Sequence, residues 1–452
     1  MPTPSGILTR RDFLLTTSAV AGSVSLGACS DAVDRVVAPA SAVLNRMDTR
    51  ARLAQIEHVI VVMMENRSFD HFLGWHPHAD GRQAGLTYLD RDGNKQHTFA
   101  LAPDFQGCGL SDPDHSFEGG RIEYNGGSCD GWLRAGENDR YSIGYYKRHD
   151  LPFLGQAALD WTTFDRYFCS LLGPTFPNRI YQHAAQIDRL TNALVLSTLP
   201  TIWDRLFAAG VSGRYYFTDL PVLALWGNKY LAGPQAISVP VAQFFVDCAA
   251  GTLPAVAFVD PQFLGEEEGT TNDDHPHADI RAGETFLNSI YNAVTRSPNW
   301  ESTLLVVTFD EWGGFFDHVP PPTGPVTQAE QALGYTDGLL GFRIPVLLIS
   351  PFAARRTVQH EVFEHTSILR LIEERWGLEP LALRDASARS LARALGNCAD
   401  TDAPQYRVPN VVSVACPVTP AVASVQGMVM QGPDRHHWHA LRQMAQQYGW
   451  PV

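Results

Sequence analysis

Four short runs of apolar, largely β-branched residues limit the fold of this chain more than any other feature. They are His58-Val59-Ile60-Val61-Val62-Met63, Ala255-Val256-Ala257-Phe258-Val259, Leu304-Leu305-Val306-Val307-Thr308-Phe309 and Pro345-Val346-Leu347-Leu348-Ile349. Successive residues are apolar, so both faces of each strand must be covered, as in a sheet with helices on either side. Helical patterns lie between them, at 281–296 after Asp279, at 154–170, and at 366–376 with Ile368, Leu371, Ile372 and Arg375 on one spacing. This alternation predicts an α/β domain built on a mostly parallel central sheet. Tyr215-Tyr216-Phe217 and Ala193-Leu194-Val195-Leu196 are weaker strand candidates. The 37 Gly and 30 Pro residues imply many ordered loops, and 74–150 is read as long loops laid over the domain. From about residue 400 the chain is irregular, and a last helix is expected at 434–448.

The first strand runs directly into Glu65-Asn66-Arg67-Ser68-Phe69-Asp70-His71, and the third into Asp310-Glu311-Trp312-Gly313-Gly314. Ligands of open α/β sheets gather at the carboxyl ends of the strands, and carboxylates delivered there by two strands can share a divalent cation. Either segment alone would also serve as a helix cap or a surface ion pair. Between them, Gly173-Pro174-Thr175-Phe176-Pro177 places Thr175 at a helix start, where free N–H groups and the dipole favour an anion. A threonine there is either an N-cap or, beside a metal, a nucleophile. His115, in Asp112-Pro113-Asp114-His115, and His275 and His277, in Asp273-Asp274-His275-Pro276-His277, lie in polar loops. They can stabilise phosphoryl charge or protonate a leaving oxygen, or be plain loop histidines.

The N-terminus speaks to compartment. Thr9-Arg10-Arg11-Asp12-Phe13-Leu14 precedes a mildly apolar stretch ending in Leu26-Gly27-Ala28-Cys29. This pattern resembles a twin-arginine signal over 1–28 followed by a lipobox, with Cys29 lipidated and 29–52 a tether. The expectation is an exported protein, periplasmic, membrane-anchored through lipid, or secreted. A net charge of −14, from 34 basic and 48 acidic residues, becomes −15 without the signal and argues against nucleic-acid binding. Besides Cys29, six cysteines remain and allow up to three disulfides, with the sequence-local pairs 108–129 and 398–416 the natural expectation.

Several segments together resemble one family. These are Val61-Val62-Met63-Met64-Glu65-Asn66-Arg67-Ser68-Phe69-Asp70-His71, Gly173-Pro174-Thr175-Phe176-Pro177-Asn178-Arg179, Asp273-Asp274-His275-Pro276 and Asp310-Glu311-Trp312-Gly313-Gly314-Phe315-Phe316-Asp317-His318-Val319. Their residues and order are similar to the bacterial phospholipase C family, which also includes plant non-specific phospholipases C and a bacterial acid phosphatase. Gly144-Tyr145-Tyr146, Leu151-Pro152-Phe153 and His365-Thr366-Ser367 extend the resemblance to roughly 55–380. It implies an alkaline-phosphatase-like three-layer sandwich with long loop insertions. It also implies one divalent metal held by Glu65, Asn66, Thr175, Asp310 and Glu311, with Thr175 as nucleophile and His115, His275 and His277 contacting phosphate. The mostly oxygen ligand set favours Ca²⁺ or Mg²⁺, with zinc or iron as alternatives. Trp312 departs from the family, where many relatives carry His.

The resulting expectation is a catalytic domain over 53–400 with an extension, 401–452, on the same domain. It would hydrolyse a phospholipid or small phosphate ester through a phosphothreonine intermediate. Acid-phosphatase-like monoester hydrolysis is the alternative, and an inactive ligand-binding surface lipoprotein a lesser one. Sulfatase chemistry is excluded at Thr175, because threonine cannot become formylglycine. Trp75, Trp132, Tyr145, Tyr146 and Trp312 are candidates for a headgroup pocket or for core.

Overall fold

A computed structural model describes residues 50–266, 268–396, 399–417 and 437–452. The twin arginines, Cys29 and Cys398 lie outside the described residues. Eight strands form the central sheet: β1 (His58–Met64), β2 (Thr162–Phe164), β3 (Gly213–Phe217), β4 (Ser238–Pro240), β5 (Val256–Val259), β6 (Thr303–Phe309), β7 (Leu347–Ile349) and β8 (Thr357–Gln359). Their spatial order is β8-β2-β7-β6-β1-β5-β3-β4. β1 is central and parallel to both neighbours, with Val59 opposite Val256 on one side and Leu304 on the other. Parallel pairing continues to β3 and β4, while β7 runs antiparallel to both β6 and β2. The apolar run at 345–349 therefore reports burial and not direction, because either orientation places both of its faces under helices.

Every residue of β5 and β6, and all of β1 except His58, is buried, as two covered faces require. The principal helices are α1 (Phe69–Leu73), α2 (Phe117–Tyr124), α3 (Leu154–Asp160), α4 (Thr175–Ala184), α5 (Ile202–Ala208), α6 (Ala242–Ala250), α7 (Ile280–Thr295), α8 (Thr366–Trp376) and α9 (His437–Gln447). One group packs α4 against α5 and α8; another packs α6 against α7, which lies on β6. Asp279 starts α7 by accepting a hydrogen bond from the Arg281 N–H at 3.0 Å.

Two sequence expectations for secondary structure fail. The helix expected over 154–170 stops at Asp160, and Thr162 and Thr163 pair with Leu348 and Leu347 in the sheet. The helical spacing of Leu154, Ala157 and Ala158 ends there, and the β-branched and aromatic residues that follow suit an inner strand. Ala193-Leu194-Val195-Leu196 forms no strand and lies in a loop. Apolar character alone does not supply a pairing partner.

Both expected disulfides are also wrong. Cys108 bonds Cys416 across 308 residues, and Cys129 is a buried free thiol. Sequence proximity is a poor guide once a tail returns to an early loop. Residues 399–417 run antiparallel along α7 and its flanks. Trp300 donates to the Thr401 carbonyl at 2.7 Å, Tyr291 to Pro404 at 2.7 Å and Thr285 to Pro409 at 2.9 Å, and Ser413 accepts from the Asp279 N–H at 3.2 Å. The disulfide ends this strap at the loop that leads to His115. Among the described residues, no helix is long and apolar enough to cross a membrane.

Candidate active site

The carboxyl ends of β1 and β6 lie side by side, so Glu65-Asn66 and Asp310-Glu311 emerge together, all fully buried. The Asp310 N–H donates to the Met64 carbonyl at 3.0 Å and fixes one segment against the other. The Gly313 N–H donates to Glu311 Oε2 at 2.7 Å, shaping the turn that follows. Gly313 and Gly314 both have left-handed φ, 66° and 67°. A Cβ at Gly314 would lie 2.8 Å from the Asp114 carbonyl oxygen, so glycine there lets the His115 loop approach the end of β6.

Thr175 is the first residue of α4, after Pro174 in extended conformation. Asn178 holds the preceding turn: its amide donates to Gly173 at 2.8 Å and its oxygen accepts from the Leu171 N–H at 2.9 Å. Asn192 accepts from the Phe176 N–H at 2.8 Å. So held, the Thr175 hydroxyl donates to Glu65 Oε2 at 3.3 Å. One turn later, Arg179 reaches under the site. Its Nη2 and Nε bond Glu65 Oε1 at 2.6 and 3.0 Å, Nε also reaches Asp310 at 3.2 Å, and Nη1 lies 3.4 Å from Asp260.

His115 joins this group. Its Nδ1 donates to the Pro113 carbonyl at 2.8 Å, which turns Nε2 toward Asn66 at 3.5 Å and Glu311 at 3.9 Å. Burial disfavours its charged form, but Glu311 and Asp112 outweigh burial and lift it to about 9. The His275 ring stands edge-on to it, with centroids 6.2 Å apart. Its Nδ1 is held by the Pro276 carbonyl at 2.9 Å, leaving Nε2 3.7 Å from Glu266 and 4.0 Å from Asp112. There burial prevails and lowers His275 to about 4. His277 is placed differently: its Nε2 lies 2.9 Å from the Leu110 carbonyl, tying two loops together.

The acids show the strain of dense negative charge. Burial, with Asp310 next, raises Glu65 well above the carboxylate range. Burial likewise raises Asp260 to about 7, against the pull of Arg179. Asn66 Oδ1 and Glu311 Oε1 are buried without a hydrogen-bond partner. An oxygen-rich pocket with more carboxylates than its cations balance, and with unsatisfied oxygens, fits a hard divalent cation.

A second group also has the chemistry for a metal. Asp70, Asp317 and His318 bring ligand atoms within 4.8 Å of one another. Arg343 is already inserted among them, 3.1 Å from Asp70 and 2.9 Å from Asp317. With a guanidinium supplying the positive charge, this network acts first as a buried structural tie between α1 and the chain after β6.

Residues 56–379 match the Phosphoesterase family. The chain belongs to that family. Among relatives of this phosphoesterase, Phospholipase C A of Mycobacterium tuberculosis is 32% identical, over 72% of this chain and 74% of that protein. Non-specific phospholipase C1 of Arabidopsis thaliana is 30% identical, over 74% and 69%. Among solved structures, a protein in the alkaline phosphatase superfamily from Vibrio parahaemolyticus matches with a TM-score of 0.38 and 9% identity, over 89% of this chain and 96% of that one.

Sequence reasoning assigned no role to Arg179, Asp260, Asp112, Glu266 or Asp273. Asp260 was findable, since it ends β5 as Asp310 ends β6. Arg179 lay within a quoted motif, one helical turn beyond Thr175. Asp273 also lay within a quoted motif, whereas Glu266 carried no signal; only the fold brings their loop beneath Glu65, whose N–H donates to the Asp273 carbonyl at 2.8 Å. The aromatic candidates divide as well. Trp132, Tyr145, Tyr146 and Trp312 are core, Trp75 is half-buried against it, and Trp312 donates to buried Glu123 at 2.8 Å. The terminal helix brings a residue not expected near the site: Trp438 stacks on Phe263 at 4.2 Å, and Arg179 lies over both rings.

Proposed function

We propose that this phosphoesterase hydrolyses phosphodiesters in the manner of a phospholipase C, releasing diacylglycerol and a phosphorylated headgroup. The observation that carries the reading is the Thr175 hydroxyl, buried at a helix start and bonded to Glu65 beside three further carboxylates. The relatives named phospholipase C support the choice of a diester. Glu65, Asn66, Thr175, Asp310 and Glu311 would hold one divalent cation, which when bound lowers the hydroxyl pKa and neutralises phosphoryl charge.

Thr175 Oγ1 attacks phosphorus, its proton directed to Glu65; the Oγ–P bond forms as the bond to the alcohol oxygen breaks. His115, whose Nε2 is turned toward Asn66 and Glu311, contacts the phosphoryl oxygens and supplies a proton to the leaving alcohol. His275, with Nδ1 donating to the Pro276 carbonyl, presents an unprotonated Nε2 and accepts a proton from the water that attacks the phosphothreonine, while the Oγ1–P bond breaks and Glu65 returns its proton to Thr175. Two histidines whose surroundings push their pKa values apart suit opposite roles. Arg179 keeps Glu65 and Asp310 in place. His277 positions the His275 loop.

Export by the twin-arginine route and lipidation at Cys29 belong to the same proposal and accord with a substrate at a membrane. The test compares nitrophenyl-phosphocholine with nitrophenyl phosphate, after elemental analysis of the purified protein. Diester turnover should dominate, and Thr175→Ala should lower it by about 10³-fold or more. Full activity in that variant would refute the nucleophile, and preferential monoester turnover would favour the phosphatase alternative.

A further inference from the structure

The loop joining α4 to α5 presents Leu194, Val195 and Leu196 to solvent at 37%, 58% and 39% exposure. Among the described residues, no other three consecutive large aliphatic side chains are exposed. The tip is held at both ends: Arg189 donates to the Ala193 carbonyl at 2.7 Å, and the Ser197 N–H donates to the Leu225 carbonyl at 2.8 Å. A turn within it bonds the Val195 N–H to the Ala193 carbonyl at 3.1 Å. Three adjacent apolar side chains so presented, on a loop tied at both ends, form an exposed patch of the kind that meets a partner surface. Tyr448, also exposed, adjoins them: its ring and the Leu196 side chain lie 3.6 and 3.7 Å from where a Cβ on Gly227 would be.

Position gives this tip its meaning. Asn192, two residues before Leu194, accepts from the Phe176 N–H at 2.8 Å, so the loop is bonded to the residue next to the nucleophile. Residues 191–203 contain no charged side chain. Whatever meets the tip therefore meets aliphatic surface with a tyrosine beside it, the pairing that suits the boundary between acyl chains and headgroups. We propose that Leu194, Val195 and Leu196 insert into a zwitterionic phospholipid surface and seat the enzyme with Thr175 close to it. The inference rests on the phospholipase reading above. The acidic body, at −14, makes an anionic bilayer the poorer partner.

The test uses the full chain carrying Cys29→Ser, so that no lipid anchor contributes, with phosphatidylcholine vesicles. Replacing all three residues by serine should weaken vesicle co-sedimentation by about tenfold or more. It should lower vesicle hydrolysis in proportion while leaving kcat/KM for monomeric nitrophenyl-phosphocholine near wild type. Val195→Trp, a milder change, should show blue-shifted fluorescence when vesicles are added. Unaltered vesicle binding in the serine variant, or equal losses on monomeric and vesicular substrates, would overturn the proposal. If the wild type binds vesicles through the tip yet hydrolyses no phospholipid, the tip stands and the substrate reading fails.

Discussion

Replacing Arg179 by methionine tests the electrostatic design of the site. The guanidinium is fully enclosed, with Glu65 at 2.6 Å, Asp310 at 3.2 Å and Asp260 at 3.4 Å. Methionine fills much of the space against Phe263 and Trp438 but leaves three buried carboxylates without their shared cation. Breaking a buried pair in this way costs about 3–5 kcal/mol, because the remaining charge stays desolvated. With an unfolding entropy of about 2.1 cal/mol/K per residue over roughly 400 residues, that loss lowers Tm by about 4–6 °C. The deficit also has a pH signature. Glu65 and Asp260 already have folded-state pKa values above their unfolded ones, Asp260 at about 7. Such acids bind more protons when folded, so their penalty is absent below the unfolded pKa and grows as pH rises through the folded one. Removing Arg179 raises those folded values further, so the deficit should be small at pH 5 and largest at pH 8. Calorimetry of both proteins in excess chelator across this range measures it without a contribution from bound metal. Arg179→Lys, which keeps charge but loses the two-pronged hold on Glu65, should fall between them. A Tm unchanged by Arg179→Met at every pH would refute the assignment of Arg179 as the charge that makes these carboxylates tolerable.

Two more outcomes follow from burial and connectivity. Glu284 accepts from the Phe153 and Leu154 N–H groups, yet burial raises it to about 8. Its folded value exceeds its unfolded one, so wild-type stability should fall between about pH 4.5 and pH 8. Glu284→Gln should show no gain at pH 4.5 and a gain of roughly 1–3 kcal/mol at pH 8 in urea denaturation, with a pH-independent difference counting against it. Replacing Cys108 and Cys416 by serine opens a closure spanning 308 residues and should cost about 2–5 kcal/mol. Equal denaturation midpoints for wild type with the bond intact and with the bond shown to be reduced would contradict that.

Much of the candidate site was legible because the ends of buried strands are local in sequence. Val59–Met64 and Leu304–Phe309 announce covered strands, and the acids directly after each must emerge at one edge if the strands are parallel neighbours. Thr175 was legible for a similar reason, since Gly-Pro before it and Pro177 after it specify a helix start. The same logic, applied to Val256–Val259, leads to Asp260. Residues whose roles depend on loops meeting were not legible. His115, His275 and His277 share composition and context in the sequence, yet the fold separates them. His115 faces Glu311, whose charge favours the imidazolium, burial disfavours the charged form of His275, and His277 is spent on the Leu110 carbonyl.

What the sequence by itself determined is the layered α/β architecture and the strand-end and helix-start residues of the candidate site, because hydrophobic period, helix-start signals and strand-end carboxylates are each written within a few residues. Tertiary structure alone decided the reversal of β7, the return of Cys416 to Cys108, the entry of Arg179 among the carboxylates and the presentation of Leu194–Leu196 beside the helix that Thr175 opens. Each of these depends on which distant surfaces meet, and charge and burial act through distance in space, which residue order does not encode locally.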